Sequence, residues 1–219
     1  MKTVSIAPTT FAFDASSRIR SEANRALAFN AVNCAVCVAL SDTYQVVSNS
    51  QPSDLIVRTI VADIVPTDKT TASVATAVIL RSGVVLPVSA PLCRIALGEL
   101  AVEAEAVDST GVQHAAMLWT GGATSIQNEP RVSETGNPYG LAFKFGNEFS
   151  RMLVTGKEPK VLDIALPSTQ RTRSWFGGKR KYAACDALGR ALGLAGAAAA
   201  ELGAQPQWTD GRPNTATSH

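Results

Sequence analysis

The chain has 219 residues, 46% of them hydrophobic and 17% charged, with a net charge of +2 and a sequence pI near 8.4. That is enough apolar material for one good core and an appendage, and the near balance of charge argues against generic binding to nucleic acid or another polyanion. No run approaches the roughly 18 apolar residues of a transmembrane span: the most apolar region, residues 72–93, is broken by Arg81, Gly83, Pro87 and Pro91.

The N-terminus carries one lysine and then alternates Val4 and Ile6 with polar residues. This is a strand pattern rather than the unbroken apolar run of a secretory signal, so no export signal is read here. Thr3 to Ala7 is predicted as a short strand ended by Pro8, which has no amide proton to give a ladder. After a polar break, where Asp14, Ser16 or Ser17 is placed to cap, a long helix is predicted from Ile19 to Leu40. Leu27, Ala31, Cys34 and Val38 form one stripe and Phe29, Val32, Val36 and Leu40 another. The second half of this helix should be buried on most sides.

Tyr44 to Val47 suits a brief strand, and residues 54–65, DLIVRTIVADIV, suit an inner one beside the first strand or the hairpin, since both of its faces are apolar apart from Arg58 and Asp63. Residues 70–97 are ambiguous between strand and helix. They hold Val84, Val85, Leu86 and Val88, either an exposed apolar surface or, on the preferred reading, an irregular segment packed over the sheet.

The clearest two-strand signal runs from Gly98 to Thr120. Asp108-Ser-Thr-Gly111 suits a type I turn closed by a left-handed glycine, pairing Asp108 with Val112. Counting back places Ala106 opposite His114, Ala104 opposite Ala116 and Val102 opposite Leu118, which with Leu100 make one apolar face. Glu103, Glu105, Val107, Gln113, Met117 and Trp119 then share the other. A loop is expected over residues 121–135, then a second helix with Asn137 as cap, Pro138 at its first position, Leu141, Phe145, Phe149 and Met152 on one face, and a stop at Thr155-Gly156.

Residues 157–219 read as an extension, partly helical or disordered, with a weak helix at residues 186–202 that Gly189, Gly193 and Gly196 weaken. Trp175, Phe176 and Trp208 are its anchors. The fold class is therefore α/β of the α+β type: a mostly antiparallel sheet of four to five strands with two helices on one face in a core domain of residues 1–156, followed by an irregular C-terminal extension.

Chemistry has little material. Cys34-Ala-Val-Cys37 has redox-motif spacing but sits inside a helix rather than at its start, and no second pair completes a zinc site, so both cysteines read as buried apolar residues. No cofactor and no metal is expected. Glu103 and Glu105 point the same way and could form a carboxylate pair or weak cation site, against the simpler reading of a solvated strand face. His114 is expected on the apolar side of the hairpin. Arg171, Arg173, Trp175, Phe176, Lys179, Arg180 and Lys181 place five cations around two aromatics, which suits lipid headgroups or single-stranded nucleic acid, against the preferred reading of a solvated loop anchored by Trp175.

The segments VSIAPTTF at 4–11, DLIVRTIVADIVPTD at 54–68, GELAVEAEAVDSTG at 98–111 and FGNEFSRMLV at 145–154 resemble a bacterial lipoprotein family catalogued only as a domain of unknown function, DUF3313. The resemblance covers roughly the first 155 residues and assigns no catalytic or binding residue. It implies a periplasmic or outer-membrane location behind an upstream export signal with a lipidated cysteine, and in that compartment a Cys93–Cys185 disulfide is worth testing. A cytoplasmic location stays open on the N-terminus alone. The expected function is a non-catalytic binding or assembly module that meets an envelope protein or itself, with membrane-surface contact and no specific nucleic acid. The alternatives are a hydrolase-type enzyme using the strand carboxylates and cytosolic nucleic-acid binding through the basic tail.

Overall fold

The computed structural model describes residues 1–19, 22–65, 98–122, 136–158 and 180–188. Its strands are β1 (Thr3–Ile6), β2 (Thr10–Phe11), β3 (Gln45–Val47), β4 (Leu55–Val65), β5 (Glu99–Asp108) and β6 (Gln113–Gly122). Its helices are α1 (Phe13–Arg18), α2 (Glu22–Leu40) and α3 (Gly136–Thr155), and a short 3-10 helix spans Ala183–Leu188. The strands lie in the order β3-β1-β4-β5-β6, with β2 also paired to β4.

The sheet is mixed and six-stranded among the described residues, which corrects the expected four to five mostly antiparallel strands. β1 runs parallel to both β3 and β4, and β2 runs parallel to β4. Only β4, β5 and β6 pair antiparallel. Parallel neighbours need a long crossover. Here the chain leaves β1, passes through α1 and α2, and returns as β3. Such pairing leaves no local sequence signal, whereas a hairpin does. β4 takes the inner place that its two apolar faces require, between β1 and β5.

The entry to β1 and β4 is clamped by one reciprocal pair. Asp54 Oδ2 accepts from the Thr3 amide at 2.7 Å and the Thr3 hydroxyl at 2.8 Å, while the Asp54 amide donates to Thr3 Oγ1 at 2.9 Å. Pro8 ends β1 as expected, and the chain rejoins β4 as β2. Buried Thr9, between them, gives its amide (3.0 Å) and hydroxyl (2.7 Å) to Asn33 Oδ1 on α2. The asparagine that interrupts the apolar girth of α2 thus satisfies the broken strand.

The helix expected from Ile19 begins three residues later, at Glu22, and a separate short helix, α1, occupies the polar break before it. Ile19 is extended, with φ −104° and ψ 106°, and ends α1. Ser16 and Ser17 do not cap; their hydroxyls donate back to the Phe13 and Asp14 carbonyls within that short helix. From Ala31 to Leu40 every residue of α2 is buried, as its composition requires. α3 supplies much of the cover through Leu141, Phe145 and Phe149, also buried, and it ends where expected, with Gly156 at φ 65° donating its amide to the Met152 carbonyl. Ala31, Ala35 and Ala39 on α2 and Ala142, Gly146 and Ser150 on α3 recur every four residues. Small residues at that spacing let two helices approach closely. Ser150 Oγ accordingly reaches the Ala39 carbonyl at 3.0 Å.

The hairpin turn is as predicted and its register is not. The Asp108 amide donates to the Val112 carbonyl at 2.9 Å, and Gly111 has φ 86°. Beyond that pair Val107 lies opposite Gln113 but Ala106 lies opposite Ala115, so one extra residue is inserted into β6. The slip turns every following side chain of β6 over. Ala104 now pairs with Met117 and Val102 with Trp119. Trp119 is buried in the core, whereas Leu118, expected inside, is 71% exposed. The β5 face of Leu100, Val102, Ala104 and Ala106 is buried as expected.

Candidate functional site

Two places bring chemically capable side chains together among the described residues. The first is the sheet face turned away from α2 and α3. Arg58 of β4 lies opposite Glu105 of β5, and its Nη1 meets Glu105 Oε1 at 3.2 Å. The other oxygen of Glu105 accepts from Gln113 Nε2 at 3.1 Å. Together with Ile60, Glu103 and Leu118 these residues line a shallow groove. Glu103 and Glu105 therefore share a face, but the carboxylate of Glu105 is already engaged by a guanidinium and an amide.

His114 is absent from the walls of that groove and does not face the core. The bulge leaves its side chain 41% exposed, with Nε2 2.9 Å from Asp108 Oδ2. The position expected on the apolar side is instead the bulged residue of β6, bonded to the first residue of the turn. Asp108 Oδ1 accepts from the Thr110 hydroxyl (2.6 Å), the Thr110 amide (2.9 Å) and the Val112 amide (3.0 Å). The Thr110 hydroxyl first, and then His114, hold the Asp108 carboxyl far below the usual carboxylate range.

A group lowered on folding stabilises the fold above its unfolded-state value and loses that contribution as pH falls through its folded-state value. The Asp108 contribution is thus complete at neutral pH and fades only below about pH 4, where free carboxyls begin to protonate. Asp108→Ala should lower stability at pH 7 and flatten the decline between about pH 4 and pH 2, a window set by the ordinary carboxyl value. Denaturant titrations of both proteins across that range check this, and parallel curves for the two would refute it.

The second place is where the C-terminal segment meets α2. Residues 180–188 dock on the helix, and Cys185 forms a disulfide with Cys37, their Cα atoms 5.8 Å apart. Both sulfurs are buried. This corrects two expectations: Cys37 is not simply a small apolar residue, and the partner of Cys185 is Cys37 rather than Cys93. Cys93 itself lies outside the described residues.

The docking is held by the cations that flank Cys185. Arg180 Nη2 donates to the buried Cys34 Sγ at 3.2 Å, and its Nη1 donates to the Cys185 carbonyl. Lys181 Nζ donates to the Ser41 carbonyl at 2.9 Å, just past the last turn of α2, where cations are favoured by the helix dipole. Ser41 Oγ donates to the Cys37 carbonyl at 2.6 Å and lies 3.6 Å from Cys185 Sγ. Arg180 and Lys181, read from sequence as part of a loop surface, are therefore turned toward α2. Arg171, Arg173, Trp175, Phe176 and Lys179, and the apolar run Val84, Val85, Leu86 and Val88, lie outside the described residues.

The sequence signal for this cluster was present in pieces. Cys34, Cys37, Arg180 and Cys185 are all visible, but no spacing rule connects residues 148 positions apart. Among the described residues no group of three or more His, Cys, Asp or Glu side chains is arranged to hold a metal ion. No helix there is long and apolar enough to cross a membrane.

A six-stranded mixed sheet under two closely packed helices, with a buried disulfide fastening a C-terminal segment to one of them, defines a small α/β domain. The chain belongs to the DUF3313 family, proteins of unknown function, whose family model matches residues 1–149. Among solved structures it is similar to protein XCC0632 from Xanthomonas campestris, of the family DUF330, at 13% sequence identity and a TM-score of 0.41, covering 71% of this chain and 85% of that one. No curated protein matches it.

Proposed function

We propose that this chain is a non-catalytic binding or assembly module of the bacterial cell envelope, lipoprotein-like in its attachment and placed in the periplasm or at the outer membrane. The observation that carries this reading is the buried Cys37–Cys185 disulfide. Disulfides persist in oxidising compartments and are rare where the cytosolic thiol pool keeps cysteines reduced. A chain with a core of this size does not need a bridge in order to fold, so its presence speaks for the compartment.

The binding role is supported by the open sheet face. Leu118 at 71% and Ile60 at 39% exposure stand beside the Arg58–Glu105 pair, an apolar centre with a polar edge of the kind that protein contacts use. The apolar residues Val84, Val85, Leu86 and Val88 and the basic aromatic segment from Arg171 to Lys179 are the further contact surfaces of this reading, toward an envelope protein or a second copy and toward the membrane surface.

Fractionation of the native host tests it. The protein from membrane, periplasmic and cytosolic fractions is alkylated without reduction and weighed intact. The expected result is a processed, lipidated form in the membrane fraction with Cys185 held in a disulfide and protected from alkylation. An unprocessed cytosolic chain with Cys185 alkylated would overturn the proposal.

A further inference from the structure

We propose that Cys34, Cys37 and Cys185 form an internal thiol–disulfide exchange site, in which the bridge to the C-terminal segment moves between two positions on α2, from Cys37–Cys185 to Cys34–Cys185. Cys34 and Cys37 lie one turn apart on α2, and Cys185 lies on the 3-10 helix docked against it. Arg180 ties the three together, since one side of its guanidinium donates to Cys34 Sγ at 3.2 Å and the other to the carbonyl of Cys185. The attacking sulfur is thus held by a cation carried on the same short segment as the sulfur it attacks. A guanidinium on a sulfur favours the thiolate, the form that opens a disulfide.

All three cysteines are buried, at 1%, 0% and 1% exposure for Cys34, Cys37 and Cys185. Dissolved reductants are kept away from the bridge, while attack from within the cluster needs no access from solvent. The step is redox-neutral. Cys34 gives up its thiol proton, its thiolate bonds to Cys185 Sγ, the Cys37–Cys185 bond breaks, and Cys37 leaves as a thiolate that takes a proton. One disulfide and one thiol are present before and after.

Attack on Cys37 would instead build a bridge within one helix. Helix neighbours three apart have Cβ atoms about 5–6 Å from each other, whereas a disulfide needs about 3.5–4.5 Å. Cys185, on a separate element, carries no such constraint and is the sulfur attacked. Exchange moves the tether about 4.5 Å along the helix axis and draws Lys181 away from the Ser41 carbonyl that it caps. The bridge therefore has two registers, one that caps the end of α2 and one that releases it.

The test is a linkage map of the full-length oxidised chain, made in a Cys93→Ser background so that the fourth cysteine cannot take part. The protein is held at pH 8, quenched in acid, alkylated and digested without reduction, and the linked peptides are identified by mass spectrometry. The chain with all three cysteines should yield both Cys37–Cys185 and Cys34–Cys185 peptides, and Cys34→Ser only the first. Arg180→Gln should slow the appearance of the second about tenfold, through loss of the cation on the attacking sulfur. Cys37–Cys185 as the sole linkage after prolonged incubation at pH 8, with Cys34 fully alkylated, would overturn the proposal with no variant beyond the Cys93→Ser background having to fold. The exchange uses no cellular oxidant, so the map and the fractionation result can fail independently.

Discussion

Replacing Cys185 by serine should lower the stability of the oxidised protein by about 3 kcal/mol and its melting temperature by about 10 °C, judged from the usual effect of losing a native disulfide in a chain of this size. The bridge closes a sequence separation of 148 residues. In the chain-entropy view a loop of that length is worth about 5 kcal/mol of lost freedom in the unfolded chain, and measured losses fall at about 2–5 kcal/mol. Cys185 is the position to change because it is the bridge end on the C-terminal segment, so its loss leaves no bridge to α2 from either Cys37 or Cys34. Without the bridge, residues 180–188 are held by the hydrogen bonds of Arg180 and Lys181 and by the partly buried packing of Tyr182, Ala184 and Leu188 against the core. Such bonds each contribute about 1–3 kcal/mol, offset by the cost of ordering two long side chains. Urea titrations of wild type with and without reductant provide the check. Reduced wild type should fall to the level of Cys185→Ser, and identical midpoints for all three samples would show that the bridge contributes nothing.

What could be read from the residues alone divides by whether the signal is local. The apolar continuity of residues 55–65 marked β4 as an inner strand, and the all-round apolar second half of α2 marked a buried helix; both are properties of one segment. The Asp108 to Gly111 turn was legible because its chemistry lies within four residues. The register just beyond it was not. A single inserted residue in β6 exchanged Leu118 for Trp119 on the core face, and alternation cannot reveal a bulge when Ala115, Ala116, Met117 and Leu118 are all apolar. Long-range features left still less trace. The parallel pairing of β1 with β3 and β4 depends on a crossover, and the Cys37–Cys185 bridge on a docking event that neither cysteine announces. The candidate site follows the same division. Glu103 and Glu105 were correctly seen to share a face, but the engagement of Glu105 by Arg58 needs a neighbouring strand, and the turning of Arg180 toward Cys34 needs a partner far away in sequence.

Gly146 poses the sharpest conflict between local preference and packing, and a leucine there should abolish the cooperative fold. Judged as a helix residue, glycine at an interior position of α3 costs about 1 kcal/mol relative to alanine. Propensity therefore predicts that Gly146→Ala stabilises. The structure predicts the opposite, because a Cβ at this position would stand 2.7 Å from the Ala35 carbonyl carbon, 2.8 Å from its oxygen and 2.9 Å from its Cβ. Two of those atoms are backbone in the fully buried half of α2 and cannot rotate away. Relief requires the helices to separate, which stretches the Ser150 bond to the Ala39 carbonyl one turn further on and opens gaps around Phe145 and Phe149. Overpacking of this kind costs about 1–3 kcal/mol for a single methyl-sized group, which outweighs the gain in propensity. Gly146→Ala should then be destabilised by up to about 2 kcal/mol net, the difference between those two effects. Gly146→Leu, whose side chain must displace backbone, should lose the native near-ultraviolet dichroism and the sigmoidal unfolding transition. Ala35→Gly removes only one of the three contacts, so it should restore part of the Gly146→Ala loss and none of the Gly146→Leu loss. A Gly146→Ala protein that melts above wild type would mean that α2 and α3 stand further apart than the Ala35 distances state, and that propensity alone governs the position.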